Sequence, residues 1–165
     1  SGMIAFIKDR YPFCLGCAGY PEGHIQAESL EKDIQFLKLK QDNGAEYVVT
    51  QYCYDNDLFF SYVDKCRAAG VTIPILPGIM PVYTLKMTRM LSKVCGTTLT
   101  DPIKAGLEKL AEADSKADLD FGIDFAVDQC KGLLEGGVKA LHLYTMDRSY
   151  STTEIINRLK ADVFI

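Results

Sequence analysis

The chain has 165 residues, of which 48% are hydrophobic and 24% are charged, and its formal net charge at neutral pH is −4. These values are typical of a globular protein with enough apolar surface for one core. No cluster of Lys and Arg exceeds two or three residues, and the longest apolar runs are too short for a transmembrane helix. We therefore expect neither a nucleic-acid partner nor a membrane partner.

The cysteines indicate a reducing, cytoplasmic environment. Six are present, and four of them lie in apolar segments, where cysteine behaves as a small hydrophobic residue: Cys53, Cys66, Cys95 and Cys130. No signal-peptide pattern opens the sequence. Ser1 and Gly2 precede Met3 and look like the remnant of a protease cleavage. We expect residues 1–2 to be an expression scar and residues 3–165 to form a single α/β unit.

Four strands are predicted in chain order. The first covers residues 13–19, and the other three lie within 43–52, 69–78 and 136–144. Each of those three begins with a glycine that closes a helical pattern and continues with a run of branched or aromatic residues. Glycine readily ends a helix in the left-handed conformation, and such apolar runs are typical of buried strands.

Helical patterns lie between these strands, and extra ones precede the last strand. The predicted helices are 29–41 capped by Ser29, one from Asp55 or Asp57 to Gly70, 84–94, one opened by Asp101-Pro102, 119–134, and one begun by the capping box Ser151-Thr152-Thr153-Glu154. The alternation predicts an α/β fold with a parallel sheet. Four βα units are half of a (β/α)8 barrel, which takes about 250 residues. Such a half-barrel leaves two unpaired strand edges, so we expect self-association through them.

The segment CLGCAGYPEGH contains a C-x-x-C pair, Cys14 and Cys17. A redox pair favours its first thiol at a helix N-terminus, whereas both cysteines fall in the predicted first strand. A zinc site needs a second cysteine pair or convergent histidines, and His24 and His142 show no ligand spacing. We therefore expect structural cysteines and no metal site.

Ligands of parallel sheets bind beyond the carboxyl ends of the strands, so residues that follow the strands are candidates for a site. Tyr20 and His24 follow the first strand and could line a pocket for a flat ligand, or could be a turn tyrosine and a solvated histidine. Asp33 and Lys40 lie two turns apart on the next predicted helix, which in most proteins is a solvated face.

Three further candidates follow later strands. Gln51 could read the donor and acceptor edge of a heterocycle, or could satisfy a backbone group. Tyr144 and Arg148 combine an aromatic ring with a cation, which suits a planar, anionic ligand. No Ser-His-Asp arrangement, paired catalytic carboxylates or phosphate-binding glycine loop stands out.

Four motifs in this order and spacing resemble methylenetetrahydrofolate reductase: AGYPEGHIQAES, GAEYVVTQYCYD, PILPGIMPV and LHLYTMDR. The resemblance covers about residues 13–159. It implies a TIM barrel of which this chain is the C-terminal half. It also implies FAD-dependent reduction of 5,10-methylenetetrahydrofolate to 5-methyltetrahydrofolate, with NADH or NADPH as reductant.

The resemblance implies two sets of site residues. The FAD-binding set is Tyr20, His24, Ala27, Asp33 and Lys40. The set for folate and nicotinamide is Gln51, Tyr144, Arg148, Met87 and Leu91. Met87 stands where some members have a polar folate contact, and Leu91 stands where some have a phenylalanine near the nicotinamide. The preference for NADH or NADPH is therefore open.

No catalytic residue can be assigned in this chain, because the family's catalytic glutamate and its flavin-tuning aspartate lie on strands that precede residue 13. We therefore expect little or no turnover from the chain alone. One alternative is a non-catalytic flavin- or folate-binding module, or an interaction protein, derived from the family. The other is an α/β domain whose strand-end residues have no shared role.

Overall fold

The computed structural model describes residues 2–110 and 115–162. Within them, helices and strands alternate as the sequence predicts, and the α/β prediction is confirmed. The strands are β1 (Gly16–Gly19), β2 (Tyr47–Tyr52), β3 (Ile75–Ile79) and β4 (His142–Leu143). The helices are α1 (Gly2–Arg10), α2 (Leu30–Asp42), α3 (Asn56–Ala68), α4 (Leu85–Cys95), α5 (Asp101–Leu110), α6 (Ser115–Glu135) and α7 (Ser149–Ala161).

All strand pairs are parallel, and the strand order is β1-β2-β3-β4. This order makes β1 and β4 the edges of the described sheet. Along β2, Val48, Thr50 and Tyr52 are buried, whereas Tyr47, Val49 and Gln51 are only half-buried. Val48 packs against α2 and α3. The alternation of burial along β2 therefore places Gln51 with Tyr47 and Val49 on the less buried face of the strand.

Two predicted helix starts are confirmed by their caps. The Ser29 side chain accepts a hydrogen bond from the Lys32 amide at the start of α2. Asp55, rather than Asp57, caps α3, since its Oδ1 accepts from the amides of Asp57 and Leu58 at 2.9 and 3.3 Å. These bonds satisfy amides that have no partner inside the helix.

The predicted start of the last helix is wrong. α7 begins at Ser149, two residues before the proposed capping box, and Arg148 occupies the N-cap position without a side-chain cap hydrogen bond. Ser151 is buried inside the helix instead of capping it. The S-x-x-E pattern is therefore helix interior, where the small serine side chain permits close packing.

The ends of several elements also differ from the prediction. β1 begins at Gly16 rather than at residue 13, so Cys14 lies outside the strand and is exposed. β4 comprises only His142 and Leu143, because the chain before them does not pair with β3. The fifth predicted helix starts four residues earlier than expected, at Ser115.

The first helix, α1, is absent from the sequence prediction. None of its residues is buried, and Met3 and Phe6 are exposed. A contact with a distant residue holds it: Lys8 Nζ lies 2.5 Å from Glu46 Oε1, just before β2, and 3.2 Å from the Phe13 carbonyl. Local periodicity carries no signal of such a contact. Among the helices of residues 2–110 and 115–162, none is long and apolar enough to cross a membrane.

Candidate functional site

A groove of about 360 Å³ lies beside the carboxyl end of β1. The β1–α2 connection supplies one wall and α2 supplies the other. Its lining residues are Tyr20, His24, Gln26, Ala27, Asp33, Phe36 and Lys40. The structure thus brings together all five residues of the predicted FAD-binding set.

A hydrogen bond from a backbone amide to a side-chain carboxylate joins the β1–α2 connection to α2. The His24 amide donates to Asp33 Oδ2 at 3.1 Å, and the His24 carbonyl accepts from the Ala27 amide at 2.8 Å. His24 Nδ1 accepts from the Gln26 amide at 3.2 Å, which leaves the ring hydrogen of a neutral imidazole on Nε2. The Tyr20 and His24 rings meet edge to face, with centroids 4.6 Å apart. The turn therefore presents a fixed aromatic pair.

Lys40 closes the groove at the C-terminal end of α2. Its ammonium donates to the Ala18 carbonyl of β1 at 3.0 Å and lies 5.9 Å from the centroid of the Tyr20 ring. An ammonium has three N–H donors, so two remain for a ligand. Asp33 and Lys40 are seven residues apart in the helix, and this spacing places both on the groove side.

Two lining residues, Gln26 and Phe36, are missing from the sequence prediction. Phe36 comes three residues after Asp33 and four before Lys40, so helical spacing alone could have found it. It is 60% exposed, and an unpartnered aromatic side chain at a groove is suited to contact with a flat ligand. Gln26 lies in an irregular turn, for which no periodicity exists.

Gln51 lies next to Tyr20 but outside the groove. The two residues border a gap of only about 10 Å³, which residues 95–97 close from the other side. Gln51 Oε1 accepts a hydrogen bond from the backbone amide of Tyr52 at 3.1 Å. The side chain thus satisfies a backbone group, which was one of its two predicted roles. The side-chain nitrogen of Gln51, Nε2, makes no hydrogen bond to the described part of the chain and can donate to a ligand.

Tyr144 directly follows β4 and reaches across the sheet. Its hydroxyl donates to the Thr50 carbonyl of β2 at 3.1 Å, and its amide donates to the Ile79 carbonyl at 2.8 Å. Tyr144 and Gln51 therefore both lie at the carboxyl end of the sheet. Burial, with smaller contributions from Cys95 and Tyr20, raises the pKa of Tyr144, so its phenol is a neutral donor at neutral pH.

Arg148 is exposed, and its guanidinium carbon lies 5.1 Å from the centroid of the Tyr83 ring. Met87 and Leu91 lie one turn apart on α4, and both pack against the buried cluster that contains Tyr52. The structure therefore places these two side chains in a core contact and not in the groove. Their roles toward folate or nicotinamide stay predictions.

Of the two cysteines in the C-x-x-C pair, Cys17 is partly buried and Cys14 is exposed. Cys14 and Cys17 are both free, and burial raises the pKa of Cys17, although Lys40 partly opposes this effect. A redox nucleophile needs a lowered pKa. Within residues 2–110 and 115–162, no group of three His, Cys, Asp or Glu side chains is arranged to hold a metal ion.

Burial, reinforced by Asp33, also raises the pKa of Tyr20. Its phenol is therefore neutral at neutral pH, which leaves a hydroxyl that can donate or accept beside the groove. The groove thus offers the cation of Lys40, the carboxylate of Asp33 and three aromatic rings, all from the β1–α2 connection and α2.

The family model for methylenetetrahydrofolate reductase matches residues 1–160. Among curated proteins, the chain is 37% identical to methylenetetrahydrofolate reductase 1 of Schizosaccharomyces pombe, over 96% of this chain and 26% of that protein. It is 30% identical to 5,10-methylenetetrahydrofolate reductase of Escherichia coli, over 96% of this chain and 53% of that protein. The chain spans about a quarter to a half of the length of these curated relatives.

A solved structure shares the fold. It is an uncharacterised protein from Clostridium thermocellum that binds two copies of 5-methyl-5,6,7,8-tetrahydrofolic acid, with a TM-score of 0.62 and 14% identity. The alignment covers 93% of this chain and 57% of that one. At this identity the likeness supports the fold alone, whereas the family model and the curated relatives carry the assignment. By its match over almost its whole length, the chain belongs to the methylenetetrahydrofolate reductase family.

Proposed function

We propose that this chain supplies one half of the ligand-binding site of a flavin-dependent methylenetetrahydrofolate reductase. The observation that carries the proposal is the convergence of Tyr20, His24, Ala27, Asp33 and Lys40 in one groove. The reaction is reduction of 5,10-methylenetetrahydrofolate to 5-methyltetrahydrofolate by NADH or NADPH. FAD, when bound, would carry the hydride between the nicotinamide and the folate.

The donor set of the groove fits FAD. The two free N–H donors of Lys40 suit a phosphate oxygen, and Asp33 has one carboxylate oxygen, Oδ1, left to accept from a ribose hydroxyl. Tyr20 and His24 offer aromatic surface and a phenol beside the gap that leads to Gln51. On this proposal Tyr20 lies between the flavin on one side and the nicotinamide or pterin on the other.

Gln51, Tyr144 and Arg148 would contact the folate or the nicotinamide. The free amide nitrogen of Gln51 can donate to a heterocycle, and Arg148 is an exposed cation that can pair with a carboxylate. The resemblance to the family implies that the proton donor of the reaction is a glutamate on a strand that precedes residue 13. Because general acid catalysis contributes about 10²–10⁴-fold, we propose that the isolated chain has little or no turnover.

The proposal is tested by titrating FAD with the chain and following quenching of flavin fluorescence. Lys40→Ala removes a charge-assisted hydrogen bond, which contributes about 1.5–3 kcal/mol when fully shielded. Because Lys40 is only half-buried, we expect roughly 1–2 kcal/mol, or about 5–30-fold weaker binding. Tyr20→Ala should also weaken binding.

Lys38→Ala is the matched control. Lys38 lies on the same helix, but it is ion-paired with Asp42 and does not line the groove. This variant should bind FAD like the unmodified chain. Equal losses from Lys38→Ala and Lys40→Ala would exclude the groove as the site. If the unmodified chain does not bind FAD even after the upstream half of the barrel is added, the reductase proposal fails.

A non-catalytic folate-binding module is the second candidate. The Clostridium thermocellum protein that shares the fold binds 5-methyl-5,6,7,8-tetrahydrofolic acid, so folate is the ligand to try for this candidate. Completing the chain with the upstream half separates the two candidates. Oxidation of NADH or NADPH dependent on methylenetetrahydrofolate would support the reductase, whereas folate binding without it would support the module.

We also propose that the two edge strands make the chain self-associate. β1 and β4 leave backbone groups without a neighbouring strand in the described sheet, and such edges pair readily with other chains. Light scattering over a concentration series should show a mass that increases above that of one chain. A constant monomer mass of 18.3 kDa would contradict this.

A further inference from the structure

We propose that Thr50 is a positioning residue, whose buried hydroxyl holds Tyr144 and Gln51 in place for the folate or nicotinamide. The identity of the ligand rests on the proposed function. The coupling between Thr50 and Tyr144 can be tested with no ligand present. Thr50 is completely buried, and it lies in β2 immediately before Gln51.

The two oxygens of Thr50 have different partners. Its side-chain Oγ1 accepts a hydrogen bond from the Gly78 amide of β3 at 3.0 Å. Its backbone carbonyl accepts from the Tyr144 hydroxyl at 3.1 Å. In a regular parallel ladder, an interior amide donates to a backbone carbonyl of the neighbouring strand. Here the hydroxyl accepts from the amide, and the carbonyl is free to bind Tyr144.

The pairing of β2 with β3 is irregular at this point. Val49 pairs with Leu76 and Tyr52 pairs with Gly78, so three steps along β2 match two along β3. The additional residue of β2 is therefore Thr50 or Gln51. A bulge of this kind changes the direction of a side chain and is frequent beside functional sites. The Thr50 hydroxyl satisfies the amide that the bulge would otherwise leave without a partner.

Gly78 allows the tyrosine to approach. A Cβ atom at this position would lie 2.2 Å from the Thr50 carbonyl oxygen and 2.6 Å from Cε2 of Tyr144. Neither distance is possible for a real side chain, and the first involves backbone, which cannot rotate away. The Tyr144 ring therefore packs directly over the β3 backbone, where only glycine leaves room. Thr50, Gly78 and Tyr144 form one connected unit, and Gln51 projects from its bulge.

The test compares three variants of the chain in titrations with 5-methyltetrahydrofolate and, separately, with FAD. Thr50→Val keeps the shape of the side chain and removes the acceptor, while Thr50→Ser keeps the acceptor. Thr88→Val is the matched control, because Thr88 is also buried and its Oγ1 also accepts from a backbone amide, that of Tyr83 at 3.2 Å.

We expect Thr50→Val to weaken 5-methyltetrahydrofolate binding about tenfold and to leave FAD affinity within about twofold, since the groove does not include Thr50. Thr50→Ser should restore most of the folate affinity. Thr88→Val should lower stability like Thr50→Val without the selective loss of folate. Equal losses of both ligands in Thr50→Val, or the same selective loss in Thr88→Val, would overturn the inference.

A second measurement needs no ligand. Thr50→Val and Tyr144→Phe are combined in a double-mutant cycle of urea unfolding, and the Tyr144 ring signals are compared by NMR. We expect the two substitutions to have a non-additive effect on the free energy of unfolding, and the Tyr144 ring signals to shift in Thr50→Val. The reason is that the Thr50 hydroxyl fixes the carbonyl to which Tyr144 donates. Zero coupling with unchanged ring signals would overturn the positioning role. Failure of the unmodified chain to bind 5-methyltetrahydrofolate would count against the proposed function but not against this coupling.

Discussion

Gly122→Ala is a substitution in which two known effects have opposite signs. Gly122 is buried inside α6, and alanine in a helix interior is more favourable than glycine by about 0.5–1 kcal/mol. Helix propensity alone therefore predicts stabilisation. However, the helix lies directly against the chain that follows β3. An added Cβ would be 1.8 Å from the Val82 carbonyl oxygen and 2.8 Å from the Val82 carbonyl carbon.

The steric effect is the larger one. Real Cβ atoms essentially never approach another heavy atom within 3.0 Å, so the helix and residue 82 would have to separate by more than 1 Å. Val82 belongs to the buried cluster that contains Ile103 and Leu107, and a separation there opens packed surface. Excess volume in a packed core costs about 1–3 kcal/mol, and occasionally more. Because the clash is with backbone, its cost lies near the upper end of this range, and subtracting the gain in propensity leaves a net loss of about 2 kcal/mol.

The assay is urea unfolding followed by circular dichroism, with Gly132→Ala as the control. Gly132 is also in α6, but its added Cβ would meet only the end of the Asn56 side chain, which can rotate. Asn56 would then lose its hydrogen bond to the Gln129 carbonyl, so gain and loss should roughly cancel. The close approach of α6 to Val82 is incorrect if Gly122→Ala has the same free energy of unfolding as the unmodified chain or as Gly132→Ala.

Three smaller predictions concern a helix cap and the thiols. Asp55→Ala should destabilise the chain by about 1 kcal/mol in urea unfolding, because α3 loses its cap, whereas Asp57→Ala should change little. A thiol reagent should label exposed Cys14 quickly and Cys53 and Cys130 only on unfolding, and rapid labelling of all three would contradict their burial. Burial raises the pKa of Cys53 and Cys130 to about 12, so the native state keeps these protons after the unfolded thiols ionise. The urea midpoint should therefore fall as pH rises from about 9 towards 12, and a constant midpoint up to pH 10.5 would refute this linkage.

The parts of the fold that were predictable are those set by local pattern. The caps Ser29 and Asp55 lie where a side-chain acceptor precedes an amphipathic run, and both helices begin there. The seven-residue spacing of Asp33 and Lys40 also places them on one side of α2 in the structure, as helical geometry requires. Each of these features depends on residues that are close together in the chain.

The parts that were not predictable depend on distant partners. α1 is held by Lys8 and Glu46, which are 38 residues apart, and none of its residues is buried. Thr50 reads as one more residue of an apolar strand, and only the pairing of β2 with β3 shows that its hydroxyl replaces a ladder acceptor. Ser151 fits a capping box by sequence, but burial of its side chain places it within α7.

The two predicted sets of site residues differ in the same way. The FAD set lies within residues 20–40 and needs only β1, α2 and their connection, with short contacts such as His24 to Asp33. The folate and nicotinamide set comes from β2, α4 and the chain after β4, and the positions of Gln51 and Tyr144 require β2, β3 and β4 to pair. Contacts between elements far apart in sequence carry the larger cost in loop closure. Moreover, β4 contributes only two residues and forms an edge of the sheet. We therefore expect loss of sheet pairing at this edge to displace Tyr144 before it disturbs the groove.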